Sequence, residues 1–281
     1  MKTAKALTKG AVSYLKGNVA SDYQTTIIYP EGTLSGLPER DGQEPDTPEI
    51  EASTVTLTKA DIDALRWVLK AAPRDDVRYH LNGVFIDHEA RALVGCDGHR
   101  LHIADCIALD ACQQSAIIPR DTIKHTLALV RETKADSIAL KIGEDQVWIS
   151  VSDVRVHARR IDATYPAWQR LVSEIDSNWV KIGIDLPALL AKHKTDIHKH
   201  SGMGHGYSLA KIEESGNVID AFGNVYGSIG AEINQPIGIN LKYGVDVKMK
   251  GATGYFLDVH NQEKFHFETD TRRAVIMAAR V

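Results

Sequence analysis

Beyond Thr54 the chain falls into short runs in which apolar and polar residues alternate, broken by stretches where apolar residues return at helical spacing. Alternation and β-branching predict strands over residues 77–86, 92–94, 101–107, 137–142, 146–151 and 154–161. Helices are predicted to begin near Lys59, Arg120, Asp185 and Asn240, a spacing of roughly sixty residues that reads as a weak internal repeat. A short apolar strand precedes each helix, at residues 55–57, 116–118, 180–184 and 236–239. Ile62, Leu65, Val68 and Leu69 stripe the first helix, and Ile123, Leu127 and Val130 the second. A helix packed on antiparallel strands, repeated along the chain, is α+β architecture. Gly202, Gly204, Gly206, Gly216, Gly223, Gly227 and Gly230 blur the alternation in the second half.

The first fifty or so residues are patterned differently. Residues 5–18 read as a short helix and 24–29 as a short strand, after which Pro30, Pro38, Pro45 and Pro48 stand among acidic residues. That composition predicts a linker rather than a packed element. The expected organisation is an N-terminal segment with a Pro-rich acidic linker over 1–53, one domain over 54–174 and a second over 175–281.

Composition narrows the function without fixing it. A chain of 281 residues with 43% apolar and 25% charged residues suits a soluble protein of two domains. The net charge of −4 excludes the broad basic surplus of a protein that grips DNA tightly, but not a local positive stripe. Cys96, Cys106 and Cys112 form no CxxC pair, which fits a reduced, cytoplasmic setting. Neither a signal peptide nor a bilayer-spanning run is evident, so no membrane partner is expected. No GxSxG or Walker-type glycine loop occurs, and an enzyme reading rests on nothing positive. His193, His198, His200 and His205 crowd one stretch, yet their lysine and glycine neighbours read as a solvated basic loop, and no metal or other cofactor is expected.

Most informative is Cys96-Asp97-Gly98-His99-Arg100-Leu101, which follows Val77-Arg78-Tyr79-His80-Leu81-Asn82-Gly83-Val84-Phe85. The pair reads as strand, turn and strand, with a tight Asp-Gly corner. It closely resembles the middle domain of the β sliding clamp of bacterial DNA polymerase III. Three further stretches carry the resemblance: residues 162–168, 237–246 and the terminal Ala274-Val275-Ile276-Met277-Ala278-Ala279-Arg280-Val281. Departures from the family pattern include Cys96 for a threonine, Ala163 for a glycine, Trp168 for a tyrosine, and Ala278-Ala279 for Pro-Met.

The resemblance implies a DNA-clamp fold with two clamp domains per chain, and a non-enzymatic ring that encircles duplex DNA and tethers a polymerase. It implies basic helix faces toward the phosphate backbone, assigned here to Arg66, Lys70, Lys124, Arg131, Lys192 and Lys242. It also implies a pocket for short peptides of DNA polymerase and clamp loader, assigned to Leu81, Gly98, His99, Arg100, Leu101, Val275, Ile276, Met277 and Arg280. Two domains per subunit would need three subunits for a six-domain ring, so a homotrimer is expected, with a dimer as the alternative. The competing reading is a clamp-like adaptor or decoy that binds the same peptides without encircling DNA.

Overall fold

The computed structural model describes residues 12–14, 19–21, 25–28, 52–199, 208–257, 259 and 262–281. The chain divides into two compact units, Met1–Gly95 with Ala104–Pro166 and Cys96–Ile103 with Ala167–Val281.

The first unit contains β1 (Val12–Tyr14), β2 (Val19–Ser21), β3 (Thr25–Ile28), β4 (Val55–Thr58) and α1 (Lys59–Val68). Then come β5 (Gly83–Asp87), β6 (Ala92–Cys96) and β7 (Arg100–Asp105), whose first residues group with the second unit. β8 (Ala116–Pro119), α2 (Arg120–Thr133), β9 (Ser137–Ile142), β10 (Gln146–Val151) and β11 (Val154–Arg159) follow. An antiparallel sheet runs in the order β1-β2-β3-β11-β10-β9-β4, while β5 pairs with both β6 and β8.

Local chemistry explains where these elements start. Thr58 and Asp61 form a capping box, each side chain bonding the other's backbone N–H, so β4 turns directly into α1. Ile62, Leu65 and Val68 then lie buried, as the stripe predicted. Gly95 on β6 is required by close approach, because a Cβ there would lie 2.5 Å from the Val68 carbonyl oxygen. The Arg120 guanidinium bonds the Leu69 and Ala72 carbonyl oxygens, tying the end of α1 to the start of α2.

Two local expectations fail. Residues 12–14 form a strand, not part of a helix over 5–18, in keeping with the strand preference of Val12 and Tyr14; the rest of that stretch lies outside the described residues. Residues 77–81 are not strand either. Asn82 accepts from the Asp76 N–H and donates to the Asp76 carbonyl, and Tyr79–Leu81 turns into a short 3-10 helix before β5 begins. A side-chain amide that satisfies backbone groups in this way competes with a sheet ladder.

The second unit contains β12 (Trp179–Ile182), α3 (Leu186–Lys192), α4 (Lys194–Lys199), β13 (Leu209–Ile212), β14 (Asn217–Ile219) and β15 (Val225–Ser228). β16 (Ile237–Asn240), α5 (Leu241–Val247), β17 (Thr253–Leu257), β18 (Lys264–Glu268), β19 (Arg272–Met277) and β20 (Ala279–Arg280) complete it. β12, β17, β18 and β19 form one antiparallel ladder, and β15-β14-β13-β16-β20 a second sheet. Phe256, Phe265 and Phe267 fill its core. Asp185 caps α3 and Asn240 caps α5, so both helices begin where the sequence places them. The architecture is α+β, helices packed on antiparallel strands, the DNA-clamp fold.

Candidate functional site

The Asp97–Gly98 corner organises a cavity of about 230 Å³ that lies wholly within the second unit. Gly98 sits at φ 82°, a left-handed conformation that glycine adopts without penalty. The Asp97 carboxylate accepts from the His99 and Arg100 N–H groups, both at 3.0 Å, and the Asp97 N–H donates to the Arg100 carbonyl oxygen. The corner is therefore closed by its own first residue. The Met277 N–H donates to the His99 carbonyl oxygen at 2.9 Å, which docks β19 against the corner.

Arg100 is the anchor beneath it. Its guanidinium donates to Asp97 at 3.0 Å and to Asp246 at 2.7 Å, and stacks 4.4 Å from the Tyr243 ring centroid, while its side chain is only 4% exposed. One buried cation thus holds the corner to α5. Leu101, the next residue of β7, is buried and contributes to the cavity wall.

The rest of the lining comes from residues that sequence reasoning missed. The 3-10 turn Trp168–Leu171 is rooted by buried Trp168 and presents Arg170 and Leu171 to the cavity. Gln262 and Lys264 also line it. Lys264 donates to the Leu171 carbonyl at 3.3 Å and the Ser173 hydroxyl at 2.8 Å, and lies 5.7 Å from the Trp179 ring centroid. Burial holds its ammonium below the ordinary lysine pKa. Alternation along β18 sets Lys264 with His266 and Glu268 on the face opposite Phe265 and Phe267, but nothing in that pattern places it at the cavity.

Of the residues assigned to a peptide pocket, Gly98, His99, Arg100, Leu101, Val275 and Met277 converge on this cavity. Ile276 points into the core, fully buried, as strand alternation requires between Val275 and Met277. Arg280 lines a separate cavity of about 220 Å³ with Pro236 and Val281. Leu81 is buried in the first unit, in the turn Tyr79–Leu81.

The assigned cations are all exposed. Arg66 lies on α1, paired with Asp63, and Lys70 follows just beyond that helix. Lys124 and Arg131 stand two turns apart on one side of α2. Lys192 ends α3 and Lys242 opens α5. In the histidine-rich stretch, His198 bonds the Ser208 hydroxyl at 2.5 Å, while His200 and His205 lie outside the described residues. Among the described residues no cluster of His, Cys, Asp or Glu could hold a metal ion, and no helix is long and apolar enough to cross a membrane.

Helices packed on antiparallel strands in this way make up the DNA-clamp fold. Residues 58–167 match the family model described as DNA polymerase III beta subunit, central domain. The chain is 29% identical to the beta sliding clamp of Proteus mirabilis over 117 residues, which is 40% of this chain and 31% of that one. It is 24% identical to the beta sliding clamp of Synechocystis sp. over 260 residues, 82% of this chain and 65% of the other. The crystal structure of the DNA polymerase sliding clamp from Caulobacter crescentus superposes with a TM-score of 0.68 at 20% identity, over 98% of this chain and 78% of that one. The chain is thus similar to β sliding clamps, in sequence most clearly over residues 58–167 and in fold over nearly its whole length. It spans less than two thirds of the length of these two curated relatives.

Proposed function

We propose that the chain is a DNA sliding clamp, a non-enzymatic processivity factor that encircles duplex DNA and tethers a polymerase through the cavity beside the Asp97–Gly98 corner. That cavity, in a chain of clamp fold, carries the proposal: apolar Leu101, Leu171, Val275 and Met277 offer anchoring contacts, and Arg170, Gln262 and Lys264 a polar border. An apolar groove with a polar rim suits a short peptide segment, here from a polymerase or clamp loader. Exposed Arg66, Lys70, Lys124, Arg131, Lys192 and Lys242 are the side chains for sequence-independent phosphate contact. The working domains are 54–174 and 175–281, assembled as a homotrimer.

Light scattering across a dilution series, followed by retention on DNA, tests this. A concentration-independent trimer that stays on closed circular DNA after loading, and leaves linear DNA from its ends, is the expected result. A dimer with the same retention would keep the clamp and move ring closure to the segment before residue 54. A monomer that binds peptide without topological retention would replace the clamp by an adaptor.

A further inference from the structure

One face of the first unit's sheet is basic, and it holds none of the cations assigned to phosphate contact. α2 packs on β10 and β11 and α1 on β4 and β9, so Val147, Ile149, Val154 and Val156 are buried on the helix side. Alternation sends Lys141, Trp148, Arg155, His157 and Arg159 to the other side, where Trp148 pairs in register with both Lys141 and His157. The Arg155 guanidinium lies 5.5 Å from the Trp148 ring centroid, and both Arg155 and Arg159 are exposed. None of β3, β4, β9, β10 and β11 contains Asp or Glu, so the strands themselves offer this face no compensating charge. Yet Trp148 is only 8% exposed and His157 7%, although neither helix lies on their side.

Topology brings an acidic segment to the same place. β3 and β4 are separated in the sheet by β11, β10 and β9, and all the pairings between them are antiparallel, so β3 and β4 run in the same direction. The chain from Ile28 to Val55 must therefore return the length of the sheet and cross about 19 Å of its width over one face. The helices fill one face, and the basic face remains. Seven Asp or Glu residues, from Glu31 to Glu51, stand in that connection against Arg40 alone. Pro30, Pro38, Pro45 and Pro48 disfavour strand pairing, so contact with the sheet falls to side chains. Carboxylates meeting guanidinium groups make charge-assisted hydrogen bonds. We infer that residues 30–51 dock across the basic face, their carboxylates against Lys141, Arg155 and Arg159. The face is thereby withheld from nucleic acid, and phosphate contact is left to the helix cations.

Tryptic cleavage after Arg40, the only Lys or Arg in the segment, tests this in the full chain. Cleavage tracks the population in which the segment has come away from the sheet. At low ionic strength it is expected to run about tenfold slower than in a free peptide of residues 30–53, a protection that fades as salt rises. Arg155→Glu with Arg159→Glu should remove the protection at low salt. Lys248→Glu with Lys250→Glu, exposed positions just beyond α5, should keep it. Changing Glu44, Asp46, Glu49 and Glu51 to their amides touches no strand, and should expose Arg40 as fully, with the matching peptide as reference. Cleavage of the unaltered protein at the free-peptide rate would overturn the inference. Protection that survives either set of changes in a folded protein would overturn it as well, by placing the segment elsewhere. So would a labelled single-stranded oligonucleotide that binds the unaltered protein and is lost in Arg155→Glu with Arg159→Glu at an unchanged cleavage rate, since the face would then belong to nucleic acid.

Discussion

Arg100 offers the sharpest test of how the corner is built. Its side chain is 4% exposed and engages Asp97, Asp246 and the Tyr243 ring together. Removing one partner from a buried ion pair costs roughly 3–5 kcal/mol, because the remaining charge is stranded. Here the carboxylates keep some access to water, at 13% and 24% exposure, and Asp97 keeps its two backbone N–H donors. The cost of Arg100→Met should therefore sit near or below the lower end, about 2–3 kcal/mol. Asp246→Leu strands the cation only partly, since Asp97 still accepts from it, and should cost about 2 kcal/mol. Combined, the two changes remove the charge and its distal partner together, so the double variant should be less destabilised than the sum by about 1.5–2 kcal/mol. Urea denaturation of the four proteins measures this cycle. Additivity within about 0.5 kcal/mol would refute the idea that Arg100 ties the corner to α5 through Asp246.

Two further perturbations probe packing and proton linkage. Gly95→Ala places a Cβ 2.5 Å from the Val68 carbonyl oxygen, backbone against backbone, so α1 must shift from β6; a thermal melt should register a loss of about 2–3 kcal/mol, and an unchanged midpoint would mean that the approach is not as close as described. His266 is 2% exposed, and burial, aided by Arg273 and Lys264 and opposed by Glu268, holds its pKa below the ordinary 6.5. Between the ordinary value and the lowered one the unfolded chain binds a proton that the folded chain refuses. Stability should therefore be full above pH 6.5 and fall as pH drops below it, with a shallower fall in His266→Phe; parallel pH profiles for the two proteins would rule His266 out as the source.

The legible parts of the sequence were those where local chemistry and tertiary demand agree. Helix starts at Lys59, Leu186 and Leu241 follow residues whose side chains can cap a helix, and Thr58, Asp185 and Asn240 do cap them. Strands over residues 137–142 and 146–151 fall where alternation puts them, because each buries one face against α1 or α2 and the other lies open to water in part. Residues 77–81 misled because Val77 and Tyr79 have strand preference, yet both are exposed, at 97% and 59%. With no partner strand to bury them, the turn chemistry of Asp76 and Asn82 wins.

The site divides along the same line. Gly98, Arg100 and Leu101 were assigned through the family resemblance of their run, and local chemistry agrees with it: the turn is closed by Asp97, and the strand that follows buries Leu101. Arg170, Leu171 and Lys264 could not be assigned, because what brings them to the cavity is distant in sequence. Trp168 must be buried before Leu171 is turned outward, and Lys264 reaches the cavity through the ladder that pairs it with Met277. That register also explains the limits of assigning whole motifs. In the run Val275-Ile276-Met277 the pleat sends the middle residue to the core and the outer two to the cavity, so three adjacent apolar residues divide between stability and contact. Substituting Ile276 would thus act on folding, and Met277 on the cavity wall. A change that reshapes the cavity without unfolding the unit has to fall on the cavity side of that pleat, where Lys264 pairs with Met277 across the ladder.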